Sequence, residues 1–274
     1  MIIHPGIAAA ALTVAAGARA AEAPQYTLFN PVPHDRLRDL SADRPDTTES
    51  PFTVDAGHAQ IELSVVEWSR DEDGARVDTA TVAPVNLKLG LTMTTDLQLV
   101  LEPWTRVDER GAGDVEGFGD TTLRLKWNLW GNDGGGSAGA IMPFVTFPTG
   151  PDGISTQEVE GGVILPVAFS LPDGVGLGAM LEIDLVYDDR RSRYTADLVH
   201  TIVVSRELWD GVGAFLEYAG AAWAEDLSDE YRATLNTGLT WTVTPDWMLD
   251  AGVRIGLTEA ADDITLFAGS TMRF

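Results

Sequence analysis

The most constraining feature of this sequence is an alternation of apolar and polar residues that recurs along most of the chain. In the segment 120–129, Leu123 and Leu125 face one side of a β-strand, whereas Arg124 and Lys126 face the other. A period of two is typical of strands with one apolar and one polar face. The same alternation is present at 85–91, 97–102 and 249–257.

The length of these runs separates two kinds of all-β protein. A soluble sandwich has strands of about five or six residues and a polar outer face. The runs here reach about nine residues or more, which is the length that a tilted strand needs to cross a bilayer. After the amino terminus, no stretch has the roughly 18 uninterrupted apolar residues of a membrane helix. The pattern therefore predicts an all-β fold, a transmembrane antiparallel β-barrel, with a soluble periplasmic sandwich as the weaker alternative.

Composition agrees with a barrel and excludes other classes. The chain has 18 Lys and Arg against 42 Asp and Glu, a net charge of −24, which would repel the phosphates of a nucleic acid. It has no cysteine, so a disulfide framework and a cysteine-based metal site are excluded. A mean hydropathy of zero with 45% hydrophobic residues is too apolar for a disordered acidic chain.

The amino terminus resembles a secretory signal at residues 1–20, with cleavage after Ala20 or Ala23. An apolar core at 7–17 is followed by two small-x-small sites, although no Lys or Arg precedes the core. A buried alanine-rich helix is the alternative. Export of a cysteine-free chain is consistent with the periplasm or the outer membrane.

About twelve strands are expected in a barrel at 54–274, with 10 to 14 left open. Their connections alternate between long acidic segments and mostly short turns, as in barrels whose N and C termini are both periplasmic. The long set lies at 69–76, 106–117, 149–161, 188–193, 224–230 and 258–263. The short set lies at 94–96, 130–137, 172–174, 207–211 and 244–246.

Tryptophans near strand ends predict two aromatic belts, because an amphipathic ring prefers the headgroup level. The predicted members are Trp68, Trp104 and Trp223 at the long connections and Trp130, Trp209 and Trp247 at the short ones. The last residue, Phe274, closes an amphipathic final strand and is predicted to be the signal for the barrel-assembly machinery.

Charged residues on the polar side of the strands are predicted to point into the lumen. This set comprises Glu62, Lys88, Glu102, Arg124, Lys126, Glu182, Asp184, Glu217, Asp250 and Arg254. They either line a hydrated pore or only fill and pair within a closed polar interior. Both signs of charge predict a hydrated lumen.

Residues 21–53 form a proline-rich N-terminal extension before the barrel. It either stays a periplasmic tail or enters the lumen as a partial plug, with Arg36, Arg38 and Arg44 meeting inward acids. Ordering is expected at 44–52.

No catalytic residues, metal site or cofactor is predicted. The sequence has four histidines and no Gly-x-Ser-x-Gly motif, and His200 and Asp197 lie three apart, so they face opposite sides of a strand. The acidic loops are interpreted as solvated, with cation bridging to lipopolysaccharide as an alternative. The expected partners are outer-membrane lipid, lipopolysaccharide, the assembly machinery and a small-molecule substrate.

Three motifs resemble the MetA-pathway of phenol degradation family, a group of bacterial outer-membrane proteins of the transporter type. They are SADRPDTTESPFTVDAGHAQIE at 41–62, GFGDTTLRLKWNL at 117–129 and PFVTFPTG at 143–150. The eighth predicted strand, TADLVHTIVVS, departs most from a clean barrel pattern. The resemblance implies a Gram-negative outer-membrane barrel that passes small compounds and carries no catalytic residues.

The expected function is therefore passive uptake of small, hydrophobic or aromatic compounds through an outer-membrane channel. Two alternatives stay open. One is a structural or adhesive barrel without transport, and the other is a barrel enzyme that acts on lipid.

Overall fold

The computed structural model describes residues 25–188, 192–223 and 231–274. The predicted signal, residues 1–20 with cleavage after Ala20 or Ala23, lies outside the described residues. Residues 189–191 of the acidic connection at 188–193 and the whole of the connection at 224–230 lie outside them as well.

A single sheet of 15 β segments makes up the fold. The segments are β1 (Ala59–Asp71), β2 (Val77–Val82), β3 (Val85–Thr92), β4 (Thr95–Leu101), β5 (Trp104–Glu109), β6 (Gly113–Gly117), β7 (Thr121–Trp130), β8 (Ser137–Phe147), β9 (Glu160–Ser170), β10 (Val175–Asp188), β11 (Arg193–Trp209), β12 (Val212–Trp223), β13 (Arg232–Thr244), β14 (Trp247–Gly256) and β15 (Ile264–Arg273).

The sheet closes on itself because β1 pairs antiparallel with β15. Closure satisfies the backbone groups that an open edge would leave unpaired, and this is a requirement inside a bilayer. β2 and β3 pair with the two halves of β1, so together they act as one interrupted strand. β4 and β5 likewise form one interrupted strand, and β6 and β7 form another. The result is a closed barrel of twelve antiparallel strands, which confirms the predicted fold class and strand number.

The three interrupted strands break at neighbouring places. Pro84 and Pro103 lie in two of the breaks, and proline has no N–H to donate to the ladder. Ala83 before Pro84 has a positive φ of 57°, a backbone turn that extended pairing does not allow. Beyond the breaks, β2, β5 and β6 continue the sheet with the distal half of β1.

This continuation corrects one prediction. The segment 106–117 is not a long loop but most of the β5–β6 hairpin, whose turn is only 110–112. Strand pairing also shortens the connection at 69–76 to 72–76, and it includes Asp188 and Arg193, the two ends of the connection predicted at 188–193. The first strand begins at Ala59 and not at the predicted residue 54. Polar and glycine-rich hairpin ends look like loops in a sequence although their backbones pair.

The two faces of the barrel wall differ as the alternation predicted. On β7, Leu125 and Trp127 are 39% and 53% exposed on the outer face, whereas Lys126 between them is fully buried on the inner face. An exposed apolar outer face is the surface that lipid covers.

The strand with the weakest predicted alternation, β11, is complete and runs from Arg193 to Trp209. Its inner residues include Thr195 and Asp197 but also Val199 and Val203, and its outer residues include Ile202 and Val204. The alternation is weak because part of the inner wall is itself apolar.

The described helices are two short 3-10 turns, His34–Arg36 and Pro172–Gly174. None of the helices in the described ranges is long and apolar enough to cross a membrane. Ala59 and Phe274 pair with each other at the end of the barrel that carries the short turns 93–94, 210–211 and 245–246. We call this the short-turn end and the opposite end the long-connection end.

Candidate functional site

The barrel interior brings together the charges that the sequence predicted there. Nine of the ten lie within strands and face inward. In the strand register, each lies beside inward-facing residues of the neighbouring strands. Glu102 lies in the break between β4 and β5, with its carboxylate over Gly119. The predicted inner set is Glu62, Lys88, Glu102, Arg124, Lys126, Glu182, Asp184, Glu217, Asp250 and Arg254. Whether these residues line an open pore remains a prediction.

Residues 25–58, which we call the N-terminal segment, contact many of these charges. Asp43 lies between two buried lysines: it accepts from Lys126 Nζ at 2.5 Å and forms an ion pair with Lys88. Lys88 also pairs with Glu62, and the Asp43 backbone N–H donates to Glu62 at 3.1 Å. The two ammonium groups therefore lie among the buried carboxylates of Asp43, Glu62 and Asp96 in a nearly dry cluster, which supplies the partners that buried charges require.

Arg44 ties the next part of the segment to β1 and β14, the two strands that flank β15. Its Nε and Nη2 each donate at 2.7 Å to the two carboxylate oxygens of Asp250, and its Nη1 donates to Ser64 Oγ at 2.7 Å. This bidentate geometry is specific to the planar guanidinium. It also leaves no room for a side chain at Gly269, where a Cβ would lie 2.2 Å from Arg44 Nη2.

Glu217 on β12 anchors the segment from a third direction. Its two carboxylate oxygens accept from the backbone N–H groups of Thr47 and Thr48, at 2.8 and 2.7 Å, and from the Asn236 amide at 2.7 Å. Glu49 then pairs with Arg124 on β7 at 2.6 Å. The segment therefore contacts β1, β3, β7, β12 and β14, which lie around the whole barrel.

The base of the segment is tied at the short-turn end. Arg38 Nε donates to Asp55 at 2.7 Å, and the Arg38 carbonyl accepts from Arg273 at 2.7 Å. Arg273 also donates to Asp246, and this hydrogen bond holds the pKa of the Asp246 carboxyl below its usual value. Of the three arginines that the sequence assigned to inward acids, Arg44 meets a predicted partner, Arg38 meets Asp55, and Arg36 instead donates to the Tyr26 hydroxyl at 3.1 Å.

The inner wall has an apolar part that sequence reasoning did not single out. Met142, Ile164 and Met180 are buried together on β8, β9 and β10, and Phe144 and Val199 pack against them. The Glu49 backbone N–H lies 3.4 Å from Met180 Sδ, so this wall faces the N-terminal segment. Weak alternation in the eighth predicted strand, which contributes Val199, was the signal that could have revealed it.

Space remains between the segment and the strands β8 to β14. A cavity of about 780 Å³ opens at the short-turn end, between residues 40–46 and the ends of β9 to β14. A smaller cavity of about 270 Å³ lies between residues 48–52 and β8 to β11. These volumes are in the range of small-molecule sites.

Most of the predicted belt tryptophans lie on the outer face. Trp130 and Trp209 are 48% and 60% exposed at the short-turn end, and Trp247 donates to Ser270 Oγ at 2.9 Å. The same end also carries Trp127 and Trp241, each 53% exposed, which the sequence analysis did not include. Both lie within strands, a little way from the turns that guided the prediction.

At the long-connection end, Trp68 and Trp104 lie in register with outer-face residues, Trp68 opposite Leu266 and Trp104 opposite Val82. Trp223 differs from the prediction. It pairs with Asp197, whose side chain is buried on the inner face, and the Arg232 guanidinium lies 5.4 Å from its ring. Trp223 therefore belongs to the interior because its position in the strand, not its distance from the loop, sets the direction of its side chain.

Phe274 pairs with Ala59 through both backbone groups, and its side chain is 65% exposed. Its role as an assembly signal remains a prediction. Within residues 25–188, 192–223 and 231–274, no group of three or more His, Asp or Glu side chains is placed to hold a metal ion. His200 lies on the outer face against Tyr231, whose hydroxyl is 3.1 Å from His200 Nε2, and Asp197 pairs with Arg232 on the inner face.

Two solved structures are similar to this barrel. An outer membrane channel from Pseudomonas putida F1 has a TM-score of 0.64 and 16% identity, over 85% of this chain and 100% of that chain. The NanC porin has a TM-score of 0.52 and 11% identity, over 77% of this chain and 98% of that chain. The shared feature is the fold, a closed barrel that indicates the outer membrane of a Gram-negative bacterium.

No curated protein matches the sequence. A family model described as "Putative MetA-pathway of phenol degradation" matches residues 42–274, which cover the barrel and most of the part of the N-terminal segment that lies among the inner charges. The chain therefore belongs to this family of outer-membrane β-barrels.

Proposed function

We propose that the protein is a passive outer-membrane channel for small, predominantly apolar or aromatic molecules. The observation that carries this proposal is the apolar part of the inner wall, which consists of Met142, Ile164 and Met180 on β8 to β10 and of Val203 and Phe215 on β11 and β12, in a lumen that is otherwise rich in charged residues. A path bounded on one side by such a wall lowers the free-energy cost of moving an apolar solute through a hydrated barrel. The names of the similar solved structures, a channel and a porin, support transport over catalysis.

In the proposed orientation both termini are periplasmic, and the long connections face the cell exterior. The N-terminal segment is a constriction that belongs to the channel and not a removable tail. Its ion pairs with Lys88 on β3 and Lys126 on β7 tie the segment to that side of the barrel. The proposed path for solutes is formed by the cavities that remain between the segment and β8 to β14, whose lining includes Val203 and Phe215.

The test is a comparison of solute uptake by liposomes that contain the purified barrel. We expect a phenol to enter faster than a sugar of similar size. Val199→Thr keeps the side-chain volume and adds a hydroxyl on the apolar wall, so it is expected to slow phenol entry several-fold with little effect on the sugar. Val100→Thr is the matched control, because Val100 lies on the inner face of β4 between Asn86 and Thr122.

Absence of uptake of every solute would contradict the channel and favour the second candidate, a barrel with a structural role only. One observation supports that candidate: the N-terminal segment forms ion pairs across the lumen with Asp250 and Arg124. Equal effects of Val199→Thr and Val100→Thr would be consistent with a channel but would contradict a path along the apolar wall.

A further inference from the structure

The outer face carries a groove that the proposed transport path does not use. It has a volume of about 580 Å³ and lies on β9, β10 and the start of β11, close to the long-connection end. Its lining includes Gly161, Val163, Ile183, Leu185 and Tyr194. Each of these faces outward, so the groove opens toward the surrounding membrane.

A glycine creates the depth of the groove. Gly161 lies in register between Val145 on β8 and Leu185 on β10, and it places no side chain between theirs. A Cβ at this position would lie 2.6 Å from the Phe144 carbonyl oxygen, so the strand accepts no larger residue there. Leu185 and Ile183, 56% and 37% exposed, form the adjacent wall.

An aromatic pair closes the groove at the long-connection end. Tyr194 lies opposite Tyr187 with ring centroids 5.3 Å apart in an edge-to-face arrangement. The Tyr194 hydroxyl donates to the Val159 carbonyl at 2.8 Å, which fixes the ring as a wall. Tyrosine is typical of the headgroup level in barrels, so the groove lies directly below that level, at the depth of acyl chains.

We propose that this groove holds one acyl chain of a membrane lipid from the leaflet at the long-connection end. The groove is continuous with the apolar, lipid-facing surface formed by Leu165 and Leu181, 37% and 46% exposed. Its side chains offer methyl and methylene groups and one aromatic face, and the hydroxyl at its rim already has a partner. A flexible hydrocarbon chain matches that chemistry and gains contact along its length, so it exchanges more slowly than bulk lipid.

The first test counts immobilised lipids. The barrel is reconstituted with phospholipid that carries a spin label within its chain, and the motionally restricted fraction is measured by electron paramagnetic resonance. Val163→Trp fills the groove and is expected to remove about one restricted lipid per barrel. Leu165→Trp, at the next outward position of the same strand, is the matched control and is expected to change nothing. Equal loss, or no loss, in the two variants would overturn the proposal.

A second measurement needs no bulky substitution. The chain has no cysteine, so Val163→Cys and Leu165→Cys each accept a single environment-sensitive fluorophore. Lipids with brominated chains are expected to quench the label at Val163 more strongly at low mole fraction, because one chain occupies that site. Equal quenching at the two positions would overturn the proposal, as would displacement of the lipid by a phenol at the concentrations used for transport.

Discussion

Lys126 on β7 donates from Nζ to Asp43 Oδ1 at 2.5 Å, although 83 residues separate the two in the chain and Lys126 is fully buried. This contact joins the N-terminal segment to the wall of the barrel. The N-terminal segment and the barrel wall therefore stabilise each other, because neither the buried ammonium group nor the carboxylate has access to water in the folded state.

Asp43→Asn is expected to destabilise the barrel and loosen the segment. It leaves Lys88 and Lys126 with one fewer anion, and breaking a buried charge pair costs about 3–5 kcal/mol. Urea unfolding in detergent or bilayers measures the loss. Asp35→Asn, on an exposed part of the same segment, is the control and should stay within about 0.5 kcal/mol of wild type. Similar stability of the two variants would contradict the role of the cluster.

The Arg44–Asp250 pair should show strong coupling in a double-mutant cycle. Both carboxylate oxygens accept from the guanidinium, and coupling energies for close charge pairs reach about 1.5 kcal/mol or more. Arg44→Lys is expected to recover only part of the coupling, because an ammonium group cannot form the bidentate contact. Full recovery by lysine would show that charge alone matters at this position.

Removal of residues 24–50 is expected to raise single-channel conductance in planar bilayers, since the deletion takes the segment out of the lumen. Heat-modifiable migration on a gel serves as the folding control. The milder change Glu49→Gln weakens only the bridge to Arg124 and should give a smaller increase. An unchanged conductance after the deletion would show that the segment does not limit the passage.

The directions of the tryptophan side chains can be tested with single cysteines. Labels at Trp127→Cys and Trp241→Cys should respond to a quencher dissolved in lipid. A label at Trp223→Cys should respond to a water-soluble quencher, since this residue lies on the inner face beside Asp197. A lipid response at Trp223 would instead support the belt that the sequence predicted.

Acid should weaken the contact between Arg273 and Asp246 at the short-turn end. The pKa of Asp246 is lowered in the folded state by its hydrogen bond with Arg273, so its contribution to stability is present above the unfolded value of 3.8 and is lost as the pH falls through the lower folded value. The difference in unfolding midpoint between wild type and Asp246→Asn should therefore be present at about pH 5 and disappear in stronger acid. A difference that persists undiminished in strong acid would contradict this account.

Several features followed directly from local pattern. Alternation along the chain predicted the barrel, its twelve strands and the inward direction of Lys88, Lys126 and Glu217, because successive side chains of a strand point to opposite faces whatever their partners are. Trp223 and the β5–β6 hairpin were misread for one reason: proximity to a polar loop is a weaker guide than position within a paired strand.

Which charges meet was decided only by the tertiary structure. The sequence offered both a tail and a plug for residues 21–53, and it could not show that Asp43 meets Lys126 or that Arg44 meets Asp250, 206 residues away. Such pairings depend on barrel closure, which brings distant strands around one small lumen. The sequence by itself determined two faces of opposite polarity. Closure decided that the polar face surrounds the N-terminal segment, where buried charges such as Lys126 meet their partners. The physical reason is that a buried charge is stable only where the fold supplies its partner.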